Sequence, residues 1–294
     1  MDERNNTYLN DPESGAEMAR LLDQDRTLTA HMGGLFPPDL REDASLERIH
    51  DVLDIACGPG GWVQEVAFAY PHMKVVGIDI SRAMIEYAQQ QAIVQDLDNA
   101  SFEVMDATRA LDFADGTFDY VNIRTISGFM LRSNWSSLIE ECKRVLRPGG
   151  VLCLTETDHW GTTNAEAFAE LMDLSYKAIA LAGHSFDPSG RSFGITPLIE
   201  RFFAQAGFQD IRSKAHAVNF SASAAAHESM YKNFRSFFKL VQPFVLKARK
   251  AFPEAGIPDQ EELDRLYEQA MGQEMIGDDF AGLFYLLTVW GTRP

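Results

Sequence analysis

The stretch VLDIACGPGGWVQEVA, residues 52–67, constrains the fold more than any other part of the chain. An apolar run ends in a glycine cluster, Gly58, Gly60 and Gly61, and a helical pattern resumes from Trp62. Glycine lacks a Cβ, so it accepts left-handed backbone and lets another group come close. A buried strand that breaks in this way, with a helix directly behind it, leaves room for a ligand beyond its carboxyl end.

The same alternation continues downstream. DVLDIAC reads as a strand and WVQEVAFAYP as a helix stopped by Pro71. MKVVGIDIS is a second strand, and Ser81 caps the helix RAMIEYAQQQAIVQ behind it. ASFEVMDA and FDYVNIRTI read as a third and a fourth strand. The helix SNWSSLIEECKRVLR then leads through Pro148-Gly149-Gly150 into a fifth, VLCLTET. Strands apolar on both faces and separated by helices predict a parallel sheet covered on both sides. Right-handed crossovers make this an α/β fold with a doubly wound, seven-stranded, mostly parallel sheet. FQDIRSKAHAV supplies the sixth strand; LFYLLTVWGTRP, with Leu283, Tyr285, Leu287 and Val289 on one face, supplies the last. The pattern divides into a helical arm at 1–44, a core at 45–220, a helical insert at 221–279 and the closing strand at 280–294.

Nucleotides are the first ligands to consider at such a loop. A dinucleotide fingerprint needs G-x-G-x-x-G, its third glycine allowing tight helix–strand packing, and here Val63 stands in that place. A triphosphate loop needs Gly-Lys-Ser/Thr, which is missing. Asp54 inside the strand before the loop suits a cationic or neutral ligand better than a pyrophosphate.

VLDIACGPGGW resembles motif I of the class I S-adenosylmethionine (SAM)-dependent methyltransferases, with Ala56 at a position where the usual pattern has glycine. The resemblance extends over about residues 50–156 through Asp79 in VVGIDIS, Asp106 in EVMDATR, FDYVNIRTI and VLRPGGVLCLTE. It implies SAM as the cofactor, S-adenosylhomocysteine as the product and no metal. It also implies roles for residues. Gly58 and Gly60 would let the backbone approach the methionyl part. Asp54 would organise the loop and meet the ligand ammonium through water, or cap the loop amides. Asp79 would take both ribose hydroxyls, and Asp106, with Ala107 and Thr108, the adenine edge. Ile80 and Met84 would sandwich the adenine, although Met84 equally reads as helix core. Arg124 would bind the SAM carboxylate or else form a surface ion pair.

An oxygen or carbon acceptor usually needs a base, whereas a neutral amine can attack first and lose its proton later. TETDHWGTTN, after the fifth strand, offers Glu156, Asp158, His159 and Trp160. His159 is the first candidate base, because an ordinary imidazole titrates near ~6.5; His184 in GHSFDPSGRSFG is the second. Both also read as loop histidines bonded to backbone or solvent. Tyr8 and Met32 in the arm, which has the position of a lid, together with Trp160, Tyr231 and Phe234, are candidates for an acceptor pocket. Aromatic residues at helical spacing in the insert equally read as core.

Net charge is −17, from 26 Lys+Arg against 43 Asp+Glu, a field that disfavours nucleic acid and anionic membranes as partners. Cys57, Cys142 and Cys153 form no metal spacing and suit a reduced cytoplasm. The expected function is methyl transfer to an O, N or C nucleophile of a small, partly hydrophobic metabolite, as in the quinone-biosynthesis and natural-product enzymes that the chain resembles. Alternatives are a SAM-binding protein of the same fold without methyl transfer and, further off, an NAD-dependent oxidoreductase. A homodimer is left open.

Overall fold

The computed structural model describes residues 15–42 and 46–294, so Tyr8 lies outside the described residues. Helices α1 (Gly15–Met32) and α2 (Pro38–Glu42) precede the sheet. Strands β1 (Asp51–Ile55), β2 (Lys74–Asp79), β3 (Ala100–Val104), β4 (Phe118–Arg124) and β5 (Leu146–Glu156) follow. Between them lie α3 (Gly61–Ala69), α4 (Arg82–Val94) and α5 (Trp135–Val145). The chain then forms β6 (Thr162–Thr163), α6 (Glu166–Leu181), α7 (Thr196–Gln205) and β7 (Gln209–Asn219). Helices α8 (Ala224–Ala251) and α9 (Gln260–Gln269) lead to β8 (Gly282–Thr292).

The sheet runs β3-β2-β1-β4-β5-β8, with β7 paired to β8. The five strands from β3 to β5 are mutually parallel, and β8 is antiparallel to both β5 and β7. The additional strand, β6, pairs only Thr162 with Leu283 and Thr163 with Gly282. Val52, Leu53 and Ile55 of β1 are fully buried, as expected of a central strand covered on two faces. The chain order reverses at β1, between β2 and β4, and the crevice outside the carboxyl ends there is where such sheets bind ligands.

Local signals account for most boundaries. Ser81 Oγ accepts the Met84 N–H at 3.3 Å and starts α4. Lys143 and Arg144 close α5, where the last carbonyls favour positive charge. One detail differs from the sequence pattern. Pro148, Gly149 and Gly150 lie within β5 rather than ahead of it, because Gly149 N–H donates to Arg293 and Arg293 N–H to Gly150, pairing the segment with the end of β8. In β8 Phe284, Leu286, Thr288 and Trp290 are buried on one face, and on the other, which carries Leu283, Tyr285, Leu287 and Val289, Val289 is fully buried while Tyr285 is exposed. The strand is thus covered on both faces toward its end, with Val289 in the main core and Trp290 in the second.

Helix α1 packs on α3 and α8, so it bridges the glycine loop and the segment between β7 and β8. Thr27 and Ser229 hydroxyls meet at 3.0 Å, and Arg20 Nη1 donates to Asn233 Oδ1 at 3.0 Å. Phe234 and Phe238 of α8 pack edge-on against Phe168 of α6, which ties α8 into the main core.

Candidate active site

A cavity opens at the carboxyl ends of β1, β2 and β4. Asp54, Ala56, Gly58, Asp79, Ile80, Met84, Asp106, Ala107, Thr108 and Arg124 line it, so the structure brings these sequence candidates together. Each carboxylate is fixed by its strand end. Asp54 is buried, and the neighbouring strand supplies the Asn122 amide that donates to it at 2.8 Å. Burial pushes the Asp54 carboxyl up to about 7, against the pull of the Arg124 charge. Asp79 accepts the Gly58 N–H at 2.9 Å and the Ser81 N–H at 2.8 Å, so one carboxylate pins the glycine loop to the start of α4. Burial raises its pKa as well, opposed by those backbone bonds. Asp106 accepts the N–H and the hydroxyl of Thr108 at 2.9 and 2.7 Å.

The glycines divide their work. Gly58 has φ +53°, and a Cβ there would meet only Leu21, at 3.7 Å, across the cavity. Gly60 has φ +81° and does not line the cavity; a Cβ would come within 2.6 Å of the Phe102 ring and 2.9 Å of Ala88. Its small size therefore serves helix–sheet packing beneath the loop. Ala56 holds φ +59° without being glycine, a strain of about 1–2 kcal/mol that a loop fixed on both sides can sustain.

Helix α1 closes the cavity from above with Leu21, Leu22, Gln24, Asp25 and Leu28. Asp25 pairs with Arg124, whose other nitrogen donates to Thr29 at 2.9 Å. The cavity thus carries four carboxylates, Asp25, Asp54, Asp79 and Asp106, against one guanidinium. Asp25 Oδ2 is buried without a hydrogen-bond partner. A lining of this kind is completed by a ligand with cationic and hydroxyl groups, and it opposes a pyrophosphate. Neither Asp25 nor the other α1 positions stood out by residue type; the available signal was the spacing of 21, 25 and 28, which puts them on one helix face.

A second cavity abuts the first, sharing Leu21, Gln24, Leu28, Thr125 and Phe129 with it. Trp160, Phe234 and Phe237 form much of its wall, with Met230 and Phe284. The Trp160 and Phe237 rings meet edge-on at 4.6 Å. At its polar end Arg20 bonds Asn233 and is held by Glu17 through two 2.7 Å bonds, both side chains being buried. Among the described residues that guanidinium is therefore paired with a carboxylate, which suits a hydroxyl, carbonyl or amide better than an anion.

The structure places the remaining sequence candidates elsewhere. Met32 lies over Thr288, whose hydroxyl points at its sulfur at 3.8 Å, and Tyr231 stands beside His227; neither lines either cavity. His159 and His184 also line neither. Asp158 accepts the Ile195 and Thr196 N–H groups at 2.7 and 3.0 Å at the start of α7. This fixes the loop so that the His159 ring packs 4.9 Å from Tyr176 while its Nδ1 accepts the Gly161 N–H. His184 is buried and bonds the Met130 carbonyl, and burial lowers the pKa of both imidazoles. Glu156 is fully buried and accepts the Ile126 and Ser127 N–H groups at 2.6 and 3.1 Å, holding the loop that separates the two cavities. Among the described residues no group of His, Cys, Asp or Glu is arranged to hold a metal ion, and no helix is long and apolar enough to cross a membrane.

Residues 52–150 match the family described as a methyltransferase domain. The chain is 27% identical over 201 residues to a demethylmenaquinone methyltransferase of Geobacillus sp. (strain WCH70), covering 65% of this chain and 84% of that one. It is 28% identical over 210 residues to the enzyme of the same name from Lactococcus lactis subsp. lactis (strain IL1403), covering 65% and 80%. A crystal structure from Bacillus halodurans C-125, assigned as a methyltransferase, shares the fold with a TM-score of 0.53 at 18% identity, over 87% of this chain and 97% of that one.

Proposed function

We propose that this chain, a class I SAM-dependent methyltransferase whose methyltransferase domain spans residues 52–150, methylates a small, partly apolar acceptor held in the aromatic cavity. The observation that carries this reading is the shared wall: the acidic cavity and the aromatic one meet at Leu21, Gln24, Leu28, Thr125 and Phe129. When bound, the cofactor would supply a methyl group on a sulfonium: the acceptor's nucleophilic atom bonds that methyl carbon in line as its carbon–sulfur bond breaks, and the neutral thioether S-adenosylhomocysteine leaves.

The chain's own residues hold and align. Asp79 would accept the ribose hydroxyls with the lone pairs that its two backbone bonds leave open. Asp106, Ala107 and Thr108 would meet the adenine edge, and Ile80 and Met84 its faces. Asp54 would contribute negative charge toward the cationic end of the ligand, increasingly so as pH rises through about 7. Trp160, Phe237 and Phe129 would clasp a flat or apolar acceptor, while Gln24 and Asn233 orient its polar group. Excluding water and fixing the approach are the main protein contributions to such a displacement. The relatives' name points to a quinone ring, and a naphthoquinol suits this aromatic wall with its paired guanidinium.

The test is to incubate the protein with SAM and, separately, a demethylated naphthoquinol with a short prenyl chain, a substituted phenol and an aromatic amine. S-adenosylhomocysteine and methylated product are then followed by mass spectrometry. Acceptor-dependent formation of both is expected, strongest with the naphthoquinol. Tight cofactor binding with no acceptor-dependent product across the panel would replace this reading with a cofactor-binding protein that does not transfer methyl groups.

A further inference from the structure

The buried carboxylate of Asp25 is left half-used. One oxygen meets Arg124, whereas Oδ2 is buried with no hydrogen-bond donor in reach among the described residues. The two side chains are only 18% and 10% exposed, so the pair has lost most of its hydration. An anionic oxygen held in that way is costly unless a cation reaches it. Oδ2 stands directly over the glycine loop, where a Cβ on Gly61 would come within 2.8 Å of it. Arg124 and Asp25 line the same cavity as Asp54 and Asp79. An α-amino acid presents one carboxylate and one ammonium on a single carbon, the complement of a guanidinium and a carboxylate side by side.

We propose that the Asp25–Arg124 pair is the receptor for the amino-acid end of the cofactor, Arg124 taking its carboxylate and Asp25 Oδ2 its ammonium. This rests on the cofactor reading above and extends it to a residue of α1. The direction of the Asp25 pKa, raised by burial despite Arg124, agrees with a carboxylate that lacks sufficient positive charge around it. The assignment also links the two cavities. Asp25 shares its helix with Arg20, Leu21, Gln24 and Leu28, which wall the aromatic cavity, so a zwitterion held by Asp25 fastens that wall in place.

The experiment compares two probes by calorimetry on the full chain. S-adenosylhomocysteine carries the amino-acid end; 5′-methylthioadenosine shares the nucleoside and the thioether but lacks it. Asp25→Asn is expected to weaken S-adenosylhomocysteine by about 10- to 50-fold, which is about 1.4–2.3 kcal/mol and within the range of a charge-assisted bond, and methylthioadenosine by less than about threefold. Asp25→Ser, which removes the carboxylate without adding an amide donor, should show the same selectivity should the asparagine variant fold poorly. S-adenosylhomocysteine should also slow amide exchange along α1 in the unmodified protein and not in Asp25→Asn. Equal loss for both probes, or loss for neither, would overturn the assignment. Failure of the unmodified protein to bind S-adenosylhomocysteine would instead remove the cofactor reading itself.

Discussion

Replacing Asp79 with alanine is expected to lower SAM affinity by at least about 100-fold, about 3 kcal/mol, in a calorimetric titration. The size follows from two losses at one atom set. The carboxylate would no longer accept the ribose hydroxyls, and it would release the Gly58 and Ser81 N–H groups that it now fixes at 2.9 and 2.8 Å. The loop would then have to be ordered by the ligand, which costs binding free energy. The fold should survive, because Gly58 lines the cavity, where water can bond its freed N–H, and Ser81 still caps α4 through its own hydroxyl. Circular dichroism of the variant is expected to match that of the parent. Unchanged affinity would remove Asp79, and with it the placement of the nucleoside, from the site.

Glu156→Leu is expected to cost about 3–5 kcal/mol of stability by urea unfolding at pH 6, the largest single loss anticipated outside the apolar core. Leucine has a suitable size but leaves the Ile126 and Ser127 N–H groups, and the Ser127 hydroxyl at 2.8 Å, without their acceptor. Each buried unpaired group costs about 1–3 kcal/mol. Glu156→Gln keeps an acceptor and should remain within about 1 kcal/mol of the parent at that pH. The pH dependence has a definite sign. Burial pushes the Glu156 carboxyl up to about 7, above the ~4.3 of an unfolded chain, so the native state binds the proton more tightly. The stability that this proton adds is complete below about pH 4.3 and is lost as pH rises through 7. The glutamine variant, which cannot ionise, should therefore lose stability less steeply over that interval. A leucine variant as stable as the parent would mean that the loop between the cavities is held by something else.

Much of the cofactor side is legible in the sequence because strand periodicity and residue position act together there. Asp54 and Asp79 lie at the carboxyl ends of adjacent parallel strands, so once the parallel sheet is inferred their convergence is forced, and Asp106 follows from β3 in the same way. The spacing of glycines is less informative than it looks. Gly58 faces the cavity whereas Gly60 is required by Phe102 and Ala88 beneath it, contacts between segments distant in sequence that no local pattern reports. The acceptor side is harder to read for the same reason. Helix α1 shows which face is apolar but not which cavity that face covers, so Asp25 gains its meaning only from Arg124, far along the chain. The loop after β5 carries His159 close to a strand end, yet its course is set by Asp158 capping α7, a contact formed only after the chain returns. Phe234 and Phe237 show that core and pocket are not exclusive: both are buried in the main cluster and both also line the aromatic cavity.

In the proposed reaction a methyl donor in the acidic cavity faces an acceptor in the aromatic one across Thr125 and Phe129. A crystal structure with S-adenosylhomocysteine bound tests it most directly. The nucleoside is expected between Asp79 and Asp106, the amino-acid end at Asp25 and Arg124, and the sulfur turned toward the shared wall. Density for the ligand in another part of the molecule, or with its sulfur directed away from the aromatic cavity, would contradict it.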